Sequence, residues 1–365
     1  MANYLSKNAL LKQYHKLFEI EKMIKAEIIA DSLGPQGNRC TSYVLTFPRH
    51  ILAELNTHRM FSRNSASSRA VPFKTMLKRV QDDPFMPMAW QKDHSGMQGT
   101  EYEEDENQLN INLSNWLIAR DRAVSQAKIL NESGVTKQIV NRLLEPFMWH
   151  TAIVTATEYE NFFHLRCPQY SITNHNTNKE TLYRSKKDFI ENFYMDGFED
   201  QLLERDDLYW LKINKGAGEI HIMALAEAMW DARNESSPKQ LKAGEWHIPF
   251  GENIDESQLN PCLEILPEDI PQKAKIATAR CARVSYINYE GKDDYEADIE
   301  LYNRLSGMGH WSPFEHCARV MTEEELYLYY RYGMMKNDKH ESLGWCGNFR
   351  GFIQLRKTFQ NENII

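Results

Sequence analysis

The chain has 365 residues, 42% of them apolar, with a formal net charge of -8. Such a length and apolar content suit one large or two ordinary folded domains and exclude a disordered or fibrous chain. The acidic balance argues against general nucleic-acid binding, which rests on phosphate neutralisation, so any anion site must be local.

No apolar run approaches membrane-spanning length and the N-terminal segment lacks the pattern of a cleavable signal, so a cytoplasmic protein with no membrane contact is expected. The six cysteines are scattered without a CxxC pair, which predicts reduced buried thiols and no metal site.

In chain order, leucine and isoleucine at helical spacing predict an opening helix within residues 1–29. "CTSYVLTF" then reads as a strand ended by Pro48, from its β-branched and aromatic content. "RHILAELNTHRMF" has a helical period over Ile51, Leu52, Leu55 and Met60, and the serine-rich "SRNSASSRAVP" breaks it. Residues 92–108 are polar enough for an exposed connection, and a helix follows over 109–132. "GVTKQIVNRLLEP" predicts an amphipathic helix with a proline stop, and "MWHTAIVTATEYENFFHLRC" a strand leading into a helix. Residues 168–213 have no clean period and read as an insertion, after which helix resumes at "GEIHIMALAEAMWDARNES". Residues 236–272 carry five prolines and read as a linker or wrapped connection.

Between residues 41 and 80 seven lysines and arginines face one acid, Glu54. There "HRMFSRNSASSR" is either a solvated surface or a nucleotide-phosphate site, since guanidinium forks and hydroxyls supply charge-assisted hydrogen bonds. "GHWSPFEH", residues 309–316, supports a metal site, an acid/base pair or a capped helix start with Glu315 three residues after Ser312. "ENFFHLR", residues 160–166, sets Asn161 and Arg166 around aromatics that would serve equally as core.

Together these motifs resemble the signature elements of the flavin-dependent thymidylate synthases, the ThyX family. His58 and Arg59, seven residues and then Ser67 follow its Arg-His-Arg pattern, with Ser62, Asn64 and Arg69 on the continuation. "ARVSY" (282–286), "GHWSPFEH", "ENFFHLR" and the helix that places Arg142 four residues before Pro146 match further elements. The matches cover about a third of the chain. "ARVSY" and "GHWSPFEH" lie after the Arg-His-Arg element here and before it in the family, which implies a circularly permuted member. Thr57, Ser65 and Ala70 replace the usual arginine, glutamate and tyrosine, Glu54 stands where a base-contacting glutamine is common, and no "HAQ" element precedes "EIHIMALA".

The resemblance implies a single α+β domain with a mainly antiparallel sheet flanked by helices, and C5 methylation of dUMP to dTMP. FAD would be the cofactor, with NAD(P)H and methylenetetrahydrofolate as co-substrates. It implies Arg166 and Ser67 as catalytic residues, and Ser67, Ser68, Arg69, Arg142, Arg166 and Glu54 as nucleotide-binding. His58, Arg59, Asn64, Asn161, Ser285, His310, Ser312 and Glu315 would surround the flavin, with no metal. It implies active sites shared between subunits of a homotetramer. Two other functions stay open at this point: a pyrimidine deoxynucleotide (dUMP or dCMP) hydroxymethylase on the same scaffold, and a flavin-free nucleotide-binding module.

Overall fold

A computed structural model describes residues 24–95, 99–174, 177–193, 199–259, 270–284, 294–332, 348–359 and 362. Its principal sheet is built on β2 (Arg39–Pro48), whose valine, tyrosine and phenylalanine suit a strand covered on both faces. β1 (Lys25–Leu33) pairs antiparallel on one side of β2 and β4 (Trp149–Ala156) on the other. Beyond β4 lies β3 (Ser62–Ser65), and beyond β1 the two-residue β7 (Lys239–Gln240), parallel to it, so the order is β3-β4-β2-β1-β7.

Side chains alternate across this sheet with the strand period. Tyr43, Leu45 and Phe47 of β2, with Ala152, Val154 and Ala156 of β4, face α4 (Ile220–Glu235) and Phe162 and Phe163 of α3 (Glu160–Arg166). Val44 and Ile153 point the other way, onto Cys281 and Val284 at the end of α5 (Gln272–Arg283). A second cluster packs Met76 and Val80 of α1 (Phe73–Asp82) and Val124 and Ala127 of α2 (Glu106–Glu132) against Val140 and Leu144. A third joins α5, α6 (Tyr295–Gly307) and the "GHWSPFEH" segment through Ile276, Tyr302, Trp311 and Phe314. The molecule is α+β, as expected, with antiparallel-rich sheets and, among the described residues, no barrel.

A buried polar chain ties the sheet to the C-terminal part. Ser42 Oγ lies 2.6 Å from Thr155 Oγ1 and 2.8 Å from His247 Nε2; His247 Nδ1 lies 2.8 Å from Ser32 Oγ, and Thr155 Oγ1 2.9 Å from His316 Nδ1. Buried polar groups need such partners, and five residues from five segments supply them to one another. Burial lowers the pKa of His316 to about 3 and that of His247 to about 4, so both imidazoles are neutral.

Several elements differ from expectation. Residues 25–33 are a strand, because pairing with β2 outweighs the helical spacing of "KAEII"; residues 1–23 lie outside the described residues. The helix expected over 49–61 ends by Leu55. After one α-turn over Lys137–Val140 the "NRLLEPF" segment tightens into 3₁₀ geometry with Pro146 inside. Of residues 236–272, the described ones contribute β7 to the main sheet and β8 (Trp246–His247) to a second, three-stranded sheet with β9 (Ala318–Val320) and β10 (Phe352–Gln354), and 260–269 lie outside the described residues. The insertion carries a hairpin (Tyr170–Asn174, Lys179–Tyr183) and its own aromatic cluster of Tyr170, Phe189 and Trp210. Four cysteines, Cys40, Cys167, Cys281 and Cys317, are free and buried. Among the described residues no helix is long and apolar enough to cross a membrane.

Candidate nucleotide-binding site

The serine-rich stretch runs through β3 and then turns along the first residues of the "NRLLEP" segment. Asn141, fully buried, shapes that turn by donating from Nδ2 to the carbonyls of Ser68 (2.6 Å) and Val71 (3.1 Å), and Lys137 Nζ donates to Ala70 O at 2.8 Å. Neither residue stood out in the sequence, because an Asn or Lys within a helical pattern carries no sign of what its side chain will reach. On the opposite wall, α5 and α6 bring up Arg283 and Arg304, and the turn after α6 brings up His310 and Ser312.

Between these walls opens a cleft of about 780 Å³, whose lining includes Asn64, Ser67, Arg69, Arg283, Arg304 and His310, with Ser312 at its edge. It thus unites expected residues from the two ends of the chain. Among the described residues three guanidiniums and an imidazole line it, and no carboxylate does. Arg283 is held by Asp298 at 2.6 Å, while Arg69 and Arg304 have no hydrogen-bond or ion-pair partner among the described residues. Both are exposed, and unpaired guanidiniums around a concavity attract anions. Asn64 serves the walls, donating to Cys281 O at 2.5 Å and so joining β3 to α5.

Glu54, His58 and Arg166 form a separate group. Arg166 Nε donates to His58 Nε2 at 3.2 Å, and its Nη1 stands 3.8 Å from Glu54 Oε2. Burial, with Arg166 and Arg63 beside it, lowers His58 to about 4, which keeps it neutral and able to accept. Burial and the neighbouring Glu219 carboxylate raise the pKa of Glu54.

Glu54 adjoins a third set. His50, Glu219 and His221 bring three potential metal-ligand atoms within 4.8 Å of one another. Met88 N–H, however, donates to His221 Nε2 at 3.0 Å, which puts the ring proton on Nδ1, 2.5 Å from Glu219 Oε1. A metal on Nδ1 would have to displace that proton; as it stands His221 is hydrogen-bonded to Glu219, and His50 Nε2 lies 3.8 Å from the same carboxylate. Burial would raise Glu219, but the hydrogen bond from His221 and the nearby His50 outweigh this and hold it well below the usual carboxylate range.

The remaining expected residues are dispersed. Ser68 and Arg142 turn away from the cleft toward Glu145. Glu315 makes no capping box: Arg356 Nη1 donates to its Oε1 at 2.6 Å, and Ser312 caps nothing. The capped-helix reading of "GHWSPFEH" is therefore wrong, because an arginine from the C-terminal strand region out-competes a backbone amide for the carboxylate. His310 is exposed and His316, six residues on, is part of the buried polar chain. Arg59 and Asn161 are exposed and belong to none of these groups. Ser285 lies outside the described residues.

No family model and no curated protein matches the chain. Among solved structures it is similar to a UMP/dUMP methylase, PolB from Streptomyces cacaoi, bound with 5-Br dUMP: 14% identity and a TM-score of 0.35, over 54% of this chain and 67% of that one. The same enzyme bound with 5-Br UMP gives 14% identity and a TM-score of 0.33, over 54% and 69%. Likeness at this level carries no functional argument.

Proposed function

We propose that the chain is an enzyme that modifies C5 of a pyrimidine deoxynucleotide, converting dUMP to dTMP, as a circularly permuted relative of the flavin-dependent thymidylate synthases. The observation that carries the reading is the cleft. Asn64, Ser67 and Arg69 from one motif meet His310 and Ser312 from another across a wall of arginines, with no carboxylate among the described lining residues.

In this reading Ser67 and Arg69, with Arg304 opposite, hold a phosphorylated ligand. The reaction transfers a methylene from methylenetetrahydrofolate to C5, releases the C5 proton, and takes a hydride equivalent from NAD(P)H to complete the methyl group. Arg166 donates to the pyrimidine oxygen on which charge builds as C5 attacks, and Glu54 and His58 fix the plane of its guanidinium. FAD is the electron carrier the reading requires. The donor set of the cleft fits a pyrophosphate, but Asn64 and Glu315 are committed to Cys281 and Arg356, so no seat for the flavin ring follows and no step is derived through it. A homotetramer with sites shared between subunits is part of this reading through the family resemblance alone.

The test is mass analysis of the nucleotide formed from dUMP, or from dCMP, with methylenetetrahydrofolate, FAD and NAD(P)H. A product one methylene heavier is expected from dUMP. A hydroxymethyl product identifies the hydroxymethylase, and binding without turnover identifies the flavin-free module.

A further inference from the structure

Two carboxylates stand near Arg166 and differ in how they are used. Glu219 is fully engaged: its oxygens accept from the amides of His221 and Ile222 and from the His221 ring. Glu54 is not. Its Oε2 lies 3.8 Å from Arg166 Nη1, close enough to feel the charge and too far for a hydrogen bond, and no described residue donates to either of its side-chain oxygens. Arg166 is likewise half used, since its Nε donates to His58 while neither Nη has a hydrogen-bond partner among the described residues. A free acceptor and a free donor therefore face the same space. Environment also sets the two acids apart: Glu219 is held well below the usual carboxylate range, whereas burial, with Glu219 beside it, raises Glu54. A merely accepting contact needs no charge, so a carboxylate kept where burial and a second carboxylate penalise it suits proton transfer. On a pyrimidine ring, O4 and C5–H are neighbours, as Nη1 and Oε2 are here.

We propose that Glu54 is the general base of the reaction, taking the proton from C5 while Arg166 donates to O4. The role rests on the C5 chemistry proposed above. Once C5 has bonded to the one-carbon unit, the C5–H bond breaks, its electron pair restores the C5=C6 double bond, and the proton passes to a Glu54 oxygen. The side chain is 38% exposed, so the acid thus formed can return the proton to water. A methyl and a hydroxymethyl product both require this loss, and the role holds for either.

The test compares the parent with Glu54→Gln, which keeps the volume and an acceptor but not the basicity. With methylenetetrahydrofolate, FAD and NAD(P)H present, turnover and hydrogen release from C5 are measured on dUMP and on 5-deuterated dUMP, and dUMP affinity is measured by titration. Turnover and hydrogen release should fall about a hundredfold or more in Glu54→Gln, with dUMP affinity little changed and a larger deuterium effect than the parent's, because proton removal becomes the slow step. Near-parental turnover in Glu54→Gln overturns the base. A fall in turnover with a deuterium effect no larger than the parent's also overturns it, and leaves Glu54 acting through Arg166. Lost dUMP binding in a variant folded by circular dichroism overturns it as well, and makes Glu54 a substrate contact. Failure of the C5 chemistry itself looks different: the parent then releases no C5 hydrogen from dUMP, and both the reaction and the base fall together.

Discussion

The cleft and the Arg166 group use the same side chains to opposite effect. In the cleft, Arg69 and Arg304 face a concavity with no partner among the described residues. Elsewhere in the fold, Arg166 is held by the imidazole of His58 and faces the carboxylate of Glu54. An unpaired guanidinium gains a full set of charge-assisted bonds when an anion arrives; a paired one gains only the difference between old partner and new. The cleft is therefore built to bind, and the Arg166 group to hold one cation in a fixed orientation. Binding and turnover should separate along that line.

The sharpest separation is expected from Arg166→Lys, which keeps a cation and loses the planar fork. At saturating dUMP and folate, turnover should fall about a hundredfold or more, as for loss of an oxyanion donor, with dUMP affinity falling only modestly. Near-parental turnover would make the Arg166 group structural and leave the cleft as the whole site.

Asn141→Ala tests whether the wall of the cleft is set from below. Its loss strips two hydrogen bonds from the carbonyls of Ser68 and Val71, at a cost of about 1–3 kcal/mol in stability by chemical denaturation. Phosphate binding should weaken with it, although Asn141 touches no ligand in this reading.

The pH dependence probes the buried chain behind both regions. His316 and His247 have folded pKa values of about 3 and 4, against 6.5 for an unperturbed histidine. Above about pH 6.5 neither state takes up a proton. As pH falls below that, the unfolded chain binds protons that the folded one refuses, so stability drops down to about pH 4, by at most ~1.4 kcal/mol per pH unit for each histidine. His316→Gln should flatten this slope, measured as denaturation midpoints between pH 7 and 4. An unchanged slope would mean that other groups govern the acid side.

The smallest effect is expected from Arg356→Ala. Its ion pairs with Glu315 and Glu362 are partly exposed, so stability should change by only about 1 kcal/mol. If Glu315 belongs to a flavin site, freeing it should change FAD retention on gel filtration, and unchanged retention would make its ion pair the whole of its role.

What was legible in the sequence was what depends on local pattern. β2, the long α2 helix and the passage from β4 into α3 follow from β-branched runs, helical period and turn residues. β1 was misread and β3 unseen, because Ser62–Ser65 has no strand propensity and is extended only through pairing with β4. The site divides likewise. The residues of the cleft were named by short motifs, but which of the adjacent Ser67 and Ser68 lines it depends on which way a turn faces. Arg304, Asn141 and Glu145 matter through distances across the fold, and no spacing announces those.

The central claim is that the arginine-lined cleft holds the phosphate of a pyrimidine deoxynucleotide. Titration of dUMP into the parent and into an Arg69→Ala/Arg304→Ala double variant tests it most directly. The account predicts saturable binding by the parent and a loss of at least about a hundredfold in the double variant, from two charge-assisted contacts, with the fold unchanged by circular dichroism. Equal dUMP affinity in parent and double variant would contradict it.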